Sequence, residues 1–200
     1  YYGTVDNFLF DTEGGVQLGS VAGESLVAGF FTSGAGYNWK GAPLNPTFWA
    51  YYDWASGDDS PNTGEAHTFN QLFPFGHYYL GWLDQVGRQN IHDLNLHLYL
   101  YPTKWLTVWL QYHRFWLAND RDALYNAAGN AIRRDASGRA GNDVGREFDV
   151  VLNFHLTKHV DLLTGYSKLY GGDFLRRTAA QGPNRGVNSD FYFVQMSYRW

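Results

Sequence analysis

Phe191-Tyr-Phe-Val-Gln-Met-Ser-Tyr-Arg-Trp200 alternates with a period of two up to its last residue. Tyr192, Val194, Met196, Tyr198 and Trp200 share one side. Gln195, Ser197 and Arg199 share the other, with Phe191 and Phe193 near its start. Successive side chains of a strand point to opposite faces, so this pattern predicts a half-buried strand. An aromatic residue closing such a strand is also what the last strand of a bacterial outer-membrane barrel carries. An ordinary soluble β protein can end the same way, so the rest of the chain has to decide.

Working back from Trp200, seven further segments of about ten residues appear, the length a tilted membrane strand needs. In 147–156, Phe148, Val150, Leu152, Phe154 and Leu156 alternate with Glu147, Asp149, Val151, Asn153 and His155. In 93–101, Leu94, Leu96, Leu98 and Leu100 alternate with Asp93, Asn95, His97 and Tyr99. In 105–116, Leu106, Val108, Leu110 and Tyr112 alternate with Thr107, Trp109, Gln111 and His113. Segment 46–56 alternates in the same way, and weaker strands cover 8–18, 26–37 and 160–170.

The polar side of these strands carries Asn, Gln, His, Tyr and carboxylates, and almost no lysine. A water-facing surface is normally rich in Lys and Glu. A polar lumen inside an apolar outer band fits better. Tyr101, Trp105 and Trp200 gather at one end of the strands, and Trp54 and Trp116 at the other, as interfacial girdles would. The turns 102–104 and 157–159 are tight, whereas 57–90, 117–145 and 171–189 are long. Short and long connections alternate, as periplasmic turns and extracellular loops do, except that 38–45 is a longer turn on the short side and 20–25 a short one on the outside. The expected fold is therefore all-β, an antiparallel up-and-down transmembrane barrel with about eight strands in 1–200, read as a single domain. Loop 117–145, rich in Ala, Asn, Arg, Gly and Asp, is expected to be mobile.

Composition agrees. Aromatic residues make up 18% of the 200 residues and charged residues only 17%. Mean hydropathy is −0.39, but alternation hides membrane strands from such an average. No apolar run is long enough for a membrane helix. The absence of cysteine excludes a disulfide scaffold and a thiolate metal site. A net charge of −4 offers nothing to nucleic acid. The chain begins within the pattern at Tyr1-Tyr2-Gly3 and is read as a mature or truncated product.

The stretch Phe73-Pro-Phe-Gly-His-Tyr-Tyr-Leu-Gly-Trp-Leu-Asp-Gln-Val-Gly-Arg-Gln-Asn-Ile91 resembles a motif of the alginate-export family of outer-membrane proteins. Tyr52-Asp-Trp-Ala-Ser-Gly-Asp58, Gly165-Tyr-Ser167 and Gly172-Asp-Phe174 are similar to it as well. The resemblance runs over most of 46–200. It implies a large barrel of about eighteen strands, wide enough for an aqueous channel. Polysaccharide or small anionic or sugar-like solutes would pass through it passively. On that reading this chain is the C-terminal portion of such a barrel, in the bacterial outer membrane. Its partners would be outer-membrane lipid and lipopolysaccharide, the barrel-assembly machinery, the solute, and other envelope proteins. The alternative is a filled eight-stranded barrel, plugged by inward residues such as Trp49, Tyr51, Tyr99 and Trp109. Such a barrel would do structural, adhesive or scaffolding work through its loops.

The candidate lumen and selectivity residues are Asp93, Asn95, His97, His113, Glu147, Asp149, His155 and Arg199. Together with Asp11, Glu13 and Asp53 they make an acidic face, unlike the positively charged passage that the resemblance implies. Arg121, Arg133, Arg134, Arg139, Arg146, Arg176 and Arg177, with Arg185, gather near the outer loops. Guanidinium forks there suit the carboxylates or phosphates of anionic partners. Asp58, Asp59, Asn62 and Glu65 offer oxygen ligands for a hard cation, but without an EF-hand spacing, so they read as turn residues. Neither a metal nor a cofactor is expected. Ser167, His155 and Asn153 fit no nucleophile motif, and no enzyme activity is expected.

Overall fold

A computed structural model describes residues 1–60, 63–182 and 185–200. Its main body is one antiparallel sheet. The long strands are β2 (Phe8–Val21), β3 (Glu24–Asn38), β4 (Thr47–Ala55), β6 (Ile91–Thr103), β7 (Leu106–Leu117), β10 (Asp143–His155), β11 (Val160–Gly171) and β12 (Ser189–Tyr198). They lie side by side in chain order. A short β1 (Tyr2–Val5) pairs with the start of β2, and β5 (Glu65–Ala66) adds a brief parallel pairing to β3.

Two sequence expectations are corrected here. The sheet has ten strands, not about eight, and it is open. Among the described residues β12 pairs only with β11, and β1 only with β2, so no ring closes. A filled eight-stranded barrel is therefore not the observed geometry.

The registers make the sheet legible as rows. Phe8, Tyr37, Phe48, Leu98, Leu110, Val150, Tyr166 and Tyr192 lie opposite one another across all eight long strands. Every member is apolar or aromatic. A row on the other face runs Asp11, Gly34, Tyr51, Asn95, His113, Glu147 and Leu169. A one-residue slip would exchange these faces, which is why the pattern fixes the register so firmly. The apolar face stays open to the surroundings. Val150, Val194 and Met196 are 43%, 59% and 73% exposed, respectively. A continuous exposed apolar face of this size is foreign to a soluble monomer.

At one end the connections are short. At the other they are long and structured. Loop 117–145, expected to be mobile, carries a two-stranded ribbon of β8 (Ala123–Tyr125) and β9 (Ala131–Arg134). The connection after β11 carries the helix α1 (Asp173–Arg177) and a 3-10 turn, Ala179–Gln181. Leu124, Ala140, Val144, Leu169, Phe174 and Leu175 join Phe69, Leu80, Val86, Ile91 and Phe115 in one apolar cluster. The core thus sits beneath the long connections, beside the sheet ends, and not between two sheet layers. By contrast, β2 and β3 meet in a two-residue turn at Ala22-Gly23, where both φ angles are positive (52° and 91°). Such a turn matches the twist of the strands that it joins.

Candidate functional site

The segment between β5 and β6 lies on the polar face of the sheet. Its anchors are aromatic and polar together. Trp82 stacks on Phe193 at 4.7 Å and 6°, and meets Trp109 edge-on at 5.7 Å. Tyr78 packs on Trp109 at 5.0 Å. The Leu83 N–H donates to Glu147 Oε1 at 3.0 Å, and Gln85 Nε2 donates to Ser189 Oγ at 2.8 Å. Arg88 Nη2 donates to Asp53 Oδ1 at 2.7 Å. Gly81 passes so close to the Glu147 carboxylate, at φ +86°, that a Cβ there would strike it. The sequence reading treats 57–90 as an external loop. The chain folds it back because Leu80, Trp82 and Val86 have apolar surface to bury. That aromatic and apolar content was the available signal.

The base of the segment is clamped by Asp122, buried to 2% exposure. Asp122 Oδ2 accepts the Asp58 N–H at 3.0 Å and the Thr68 hydroxyl at 2.6 Å. Tyr125 donates to Asp122 Oδ1 at 3.0 Å. Burial and this carboxylate push the Tyr125 hydroxyl up to about 12, so it remains a donor at ordinary pH.

Beneath the segment, six of the eight predicted lumen residues converge. Asp93 Oδ2 accepts from Asn95 Nδ2 at 2.8 Å and from His113 Nδ1 at 2.7 Å. Asn95 Nδ2 also reaches Asp53 Oδ2 at 3.3 Å. His113 Nε2 lies 3.9 Å from Asp149. Glu147, opposite His113, and His97, one row along, complete the group. The chain Arg88–Asp53–Asn95–Asp93–His113–Asp149 therefore crosses five elements. Glu147 Oε2, both Asp149 oxygens, Asn95 Oδ1 and His97 Nε2 have no hydrogen-bond partner among the described residues. Buried polar atoms of this kind are costly in a packed core.

His155 and Arg199 are elsewhere. His155 Nδ1 donates to Asp161 Oδ1 at 2.6 Å, and Arg199 pairs with the other oxygen of Asp161, near the short-turn end of the sheet. Alternation gives the face of a residue but not its depth, so parity alone groups these two with residues far along the strand. His155 is six residues from Asp149, roughly 20 Å at strand rise. Ser167 lies opposite Asp149, so Ser167 and His155 do not assemble.

The loop arginines divide by role. Arg133 braces the backbone carbonyls of Leu175 and Gly186. Arg176 pairs with Asp173, and Arg146 lies over the Tyr170 ring at 5.6 Å. The Arg121 carbonyl accepts from Arg134 Nε at 3.0 Å. Arg134, Arg139 and Arg177 line one open concavity of about 310 Å³. Asp58 Oδ1 closes a turn onto the Ser60 N–H at 2.9 Å, and Glu65 lies 3.5 Å from His67. Asn62 lies outside the described residues. No group of three metal-ligating side chains comes together among the described residues, Asp58, Asp59 and Glu65 included.

Arg88, Tyr78, Tyr79 and Trp82 are the site residues that sequence reasoning missed. Arg88→Ala should cost about 3–5 kcal/mol, because Asp53 would stay buried without its counter-charge. Thermal unfolding in detergent measures this. Asp53→Asn combined with Arg88→Met should recover most of the loss, whereas equal loss in both variants would remove the ion pair from the account.

The alginate export family model matches residues 1–188. No curated protein matches the chain. The family is one of transport, not of enzymes, and is generally found in the outer membrane.

Proposed function

Because the chain belongs to the alginate export family, we propose that it builds part of the wall of an outer-membrane channel that passes sugar-like solutes or polysaccharide by selective passive diffusion. One observation carries this reading: an antiparallel sheet whose open face is apolar and whose covered face holds carboxylates, amides and imidazoles. That division is the one a membrane channel wall requires. The apolar face would meet lipid, and the covered face would line the lumen.

The free edges set the size. About half of the backbone groups of an edge strand point away from the sheet. Each would cost several kcal/mol in hydrocarbon, on the order of tens of kcal/mol for both edges. In the membrane they pair with further strands, giving a barrel wider than this sheet. A wide barrel keeps an aqueous path, and segment 67–88 then narrows it from within. The arginine concavity at the outer loops offers guanidinium forks to lipopolysaccharide phosphates. The barrel-assembly machinery would insert the strands.

Planar bilayers test the proposal. The closed barrel containing this sheet should pass a steady current, and residues 1–200 alone should pass none. The current should favour cations, because Asp11, Glu13, Asp53, Asp93, Glu147, Asp149 and Asp161 outnumber Arg88 and Arg199 on the polar face. A closed barrel that carries no current would overturn the channel reading.

A further inference from the structure

Between β2, β3, β4, β6 and the tip of segment 67–88 lies a cavity of about 520 Å³. That is within the range of small-molecule sites, ~300–1,000 Å³. Its floor is aromatic. Trp49 and Tyr51 stack on each other at 5.1 Å and 20°. Both lie flat because Gly34 and Gly36 stand opposite them on β3, where a Cβ would strike the rings. Tyr78 and Tyr99 close the side toward β7.

The charged lining is acidic on balance, with Asp11, Glu13 and Asp53 set against Arg88. Asp11 and Glu13 line the cavity without a cationic partner among the described residues, and Asp11 Oδ2 accepts from the Tyr51 hydroxyl at 3.4 Å. Asn95 is 1% exposed and lines the same space, and its Oδ1 has no partner. Its amide orientation is fixed, because Nδ2 serves two carboxylates, Asp93 and Asp53, and a flip would set oxygen against oxygen. The free atom is therefore an acceptor. His97, 6% exposed, offers Nε2 alongside. Arg88 is the cation of the cavity, and it is already committed. It pairs with Asp53, and its guanidinium lies 5.7 Å from the Phe30 ring and 5.5 Å from that of Tyr79. Aromatic faces, two carboxylates without a counter-cation and a buried carbonyl oxygen call for a positively charged ligand that donates hydrogen bonds.

We propose that this cavity takes a protonated amine carried on a sugar-sized polyhydroxy skeleton. Ring faces stack on Trp49 and Tyr51, hydroxyls donate to Asn95 Oδ1, and the ammonium group sits toward Asp11 and Glu13. The proposal rests on reading this face as the lumen, and it names the class of solute held there.

Three probes of one skeleton and different charge test it: glucosamine, glucose and glucuronate. Calorimetry on the folded protein in detergent reads binding without any need for conduction, so its outcome is separate from the bilayer assay. Glucosamine should bind at least ~10-fold more tightly than glucuronate, a gap of about 1.4 kcal/mol, with glucose between them. Asp11→Asn with Glu13→Gln should bring the two charged probes to within about 3-fold, since it removes charge and little volume. Circular dichroism checks that the fold of the variant is kept. Glucuronate binding as tightly as glucosamine would overturn the assignment. So would an order that the double variant leaves unchanged, or no binding of any of the three sugars by a folded protein.

Discussion

Val150→Arg should block assembly into the outer membrane, and Glu13→Arg should leave assembly intact. Val150 sits mid-strand in the apolar row, between Leu110 and Tyr166, and is 43% exposed. An arginine on a lipid face costs about 2–4 kcal/mol at mid-membrane. Glu13 is exposed on the opposite face, where a charge already stands. Membrane fractionation and the heat-dependent gel shift of folded barrels measure both variants. A sequence-only argument would also choose Asn95→Arg as a tolerated control, being a lumen position. The structure reverses that choice, because Asn95 is buried beneath segment 67–88 and serves two carboxylates.

Trp82→Ala should loosen segment 67–88 over the sheet, while Leu80, Val86 and the Arg88–Asp53 pair still tether it. The indole contributes the Phe193 stack and the Trp109 edge contact, at 8% exposure. Truncating so buried an aromatic costs about 3–5 kcal/mol, more than the neighbouring Leu83 and Gln85 hydrogen bonds recover at about 1 kcal/mol each. In the closed barrel the expected result is a larger single-channel conductance with more flicker. Phe73→Ala is the matched control, since Phe73 is 92% exposed and should change nothing. Equal conductance in wild type and Trp82→Ala would mean that the segment does not narrow the passage.

The strands were legible because period-two alternation is a local signal, and the rows across the sheet follow from it. The expected segment 147–156 became Asp143–His155, and 105–116 became Leu106–Leu117. The missed elements are short. β1 has four residues and β8 three, too few for a period to show. The site was legible only in part. Asp93, Asn95, His97, His113, Glu147 and Asp149 were placed together by parity, and the structure brings them together under Trp82 and Leu83. His155 and Arg199 share their parity but lie at another depth, a coordinate that alternation does not carry. The return of segment 67–88 onto the sheet is a tertiary event, driven by Leu80, Trp82 and Val86, with no periodicity to announce it.

The central claim is that the two faces of this sheet meet lipid and lumen. The chain has no cysteine, so single cysteines can be placed one at a time along β10 and labelled with a fluorophore. Quenching by nitroxide-bearing lipid then reports each position in membranes. The account predicts strong quenching at positions 148, 150, 152 and 154 and weak quenching at 149, 151 and 153. Uniform quenching along β10, or strong quenching on the odd positions, would contradict it.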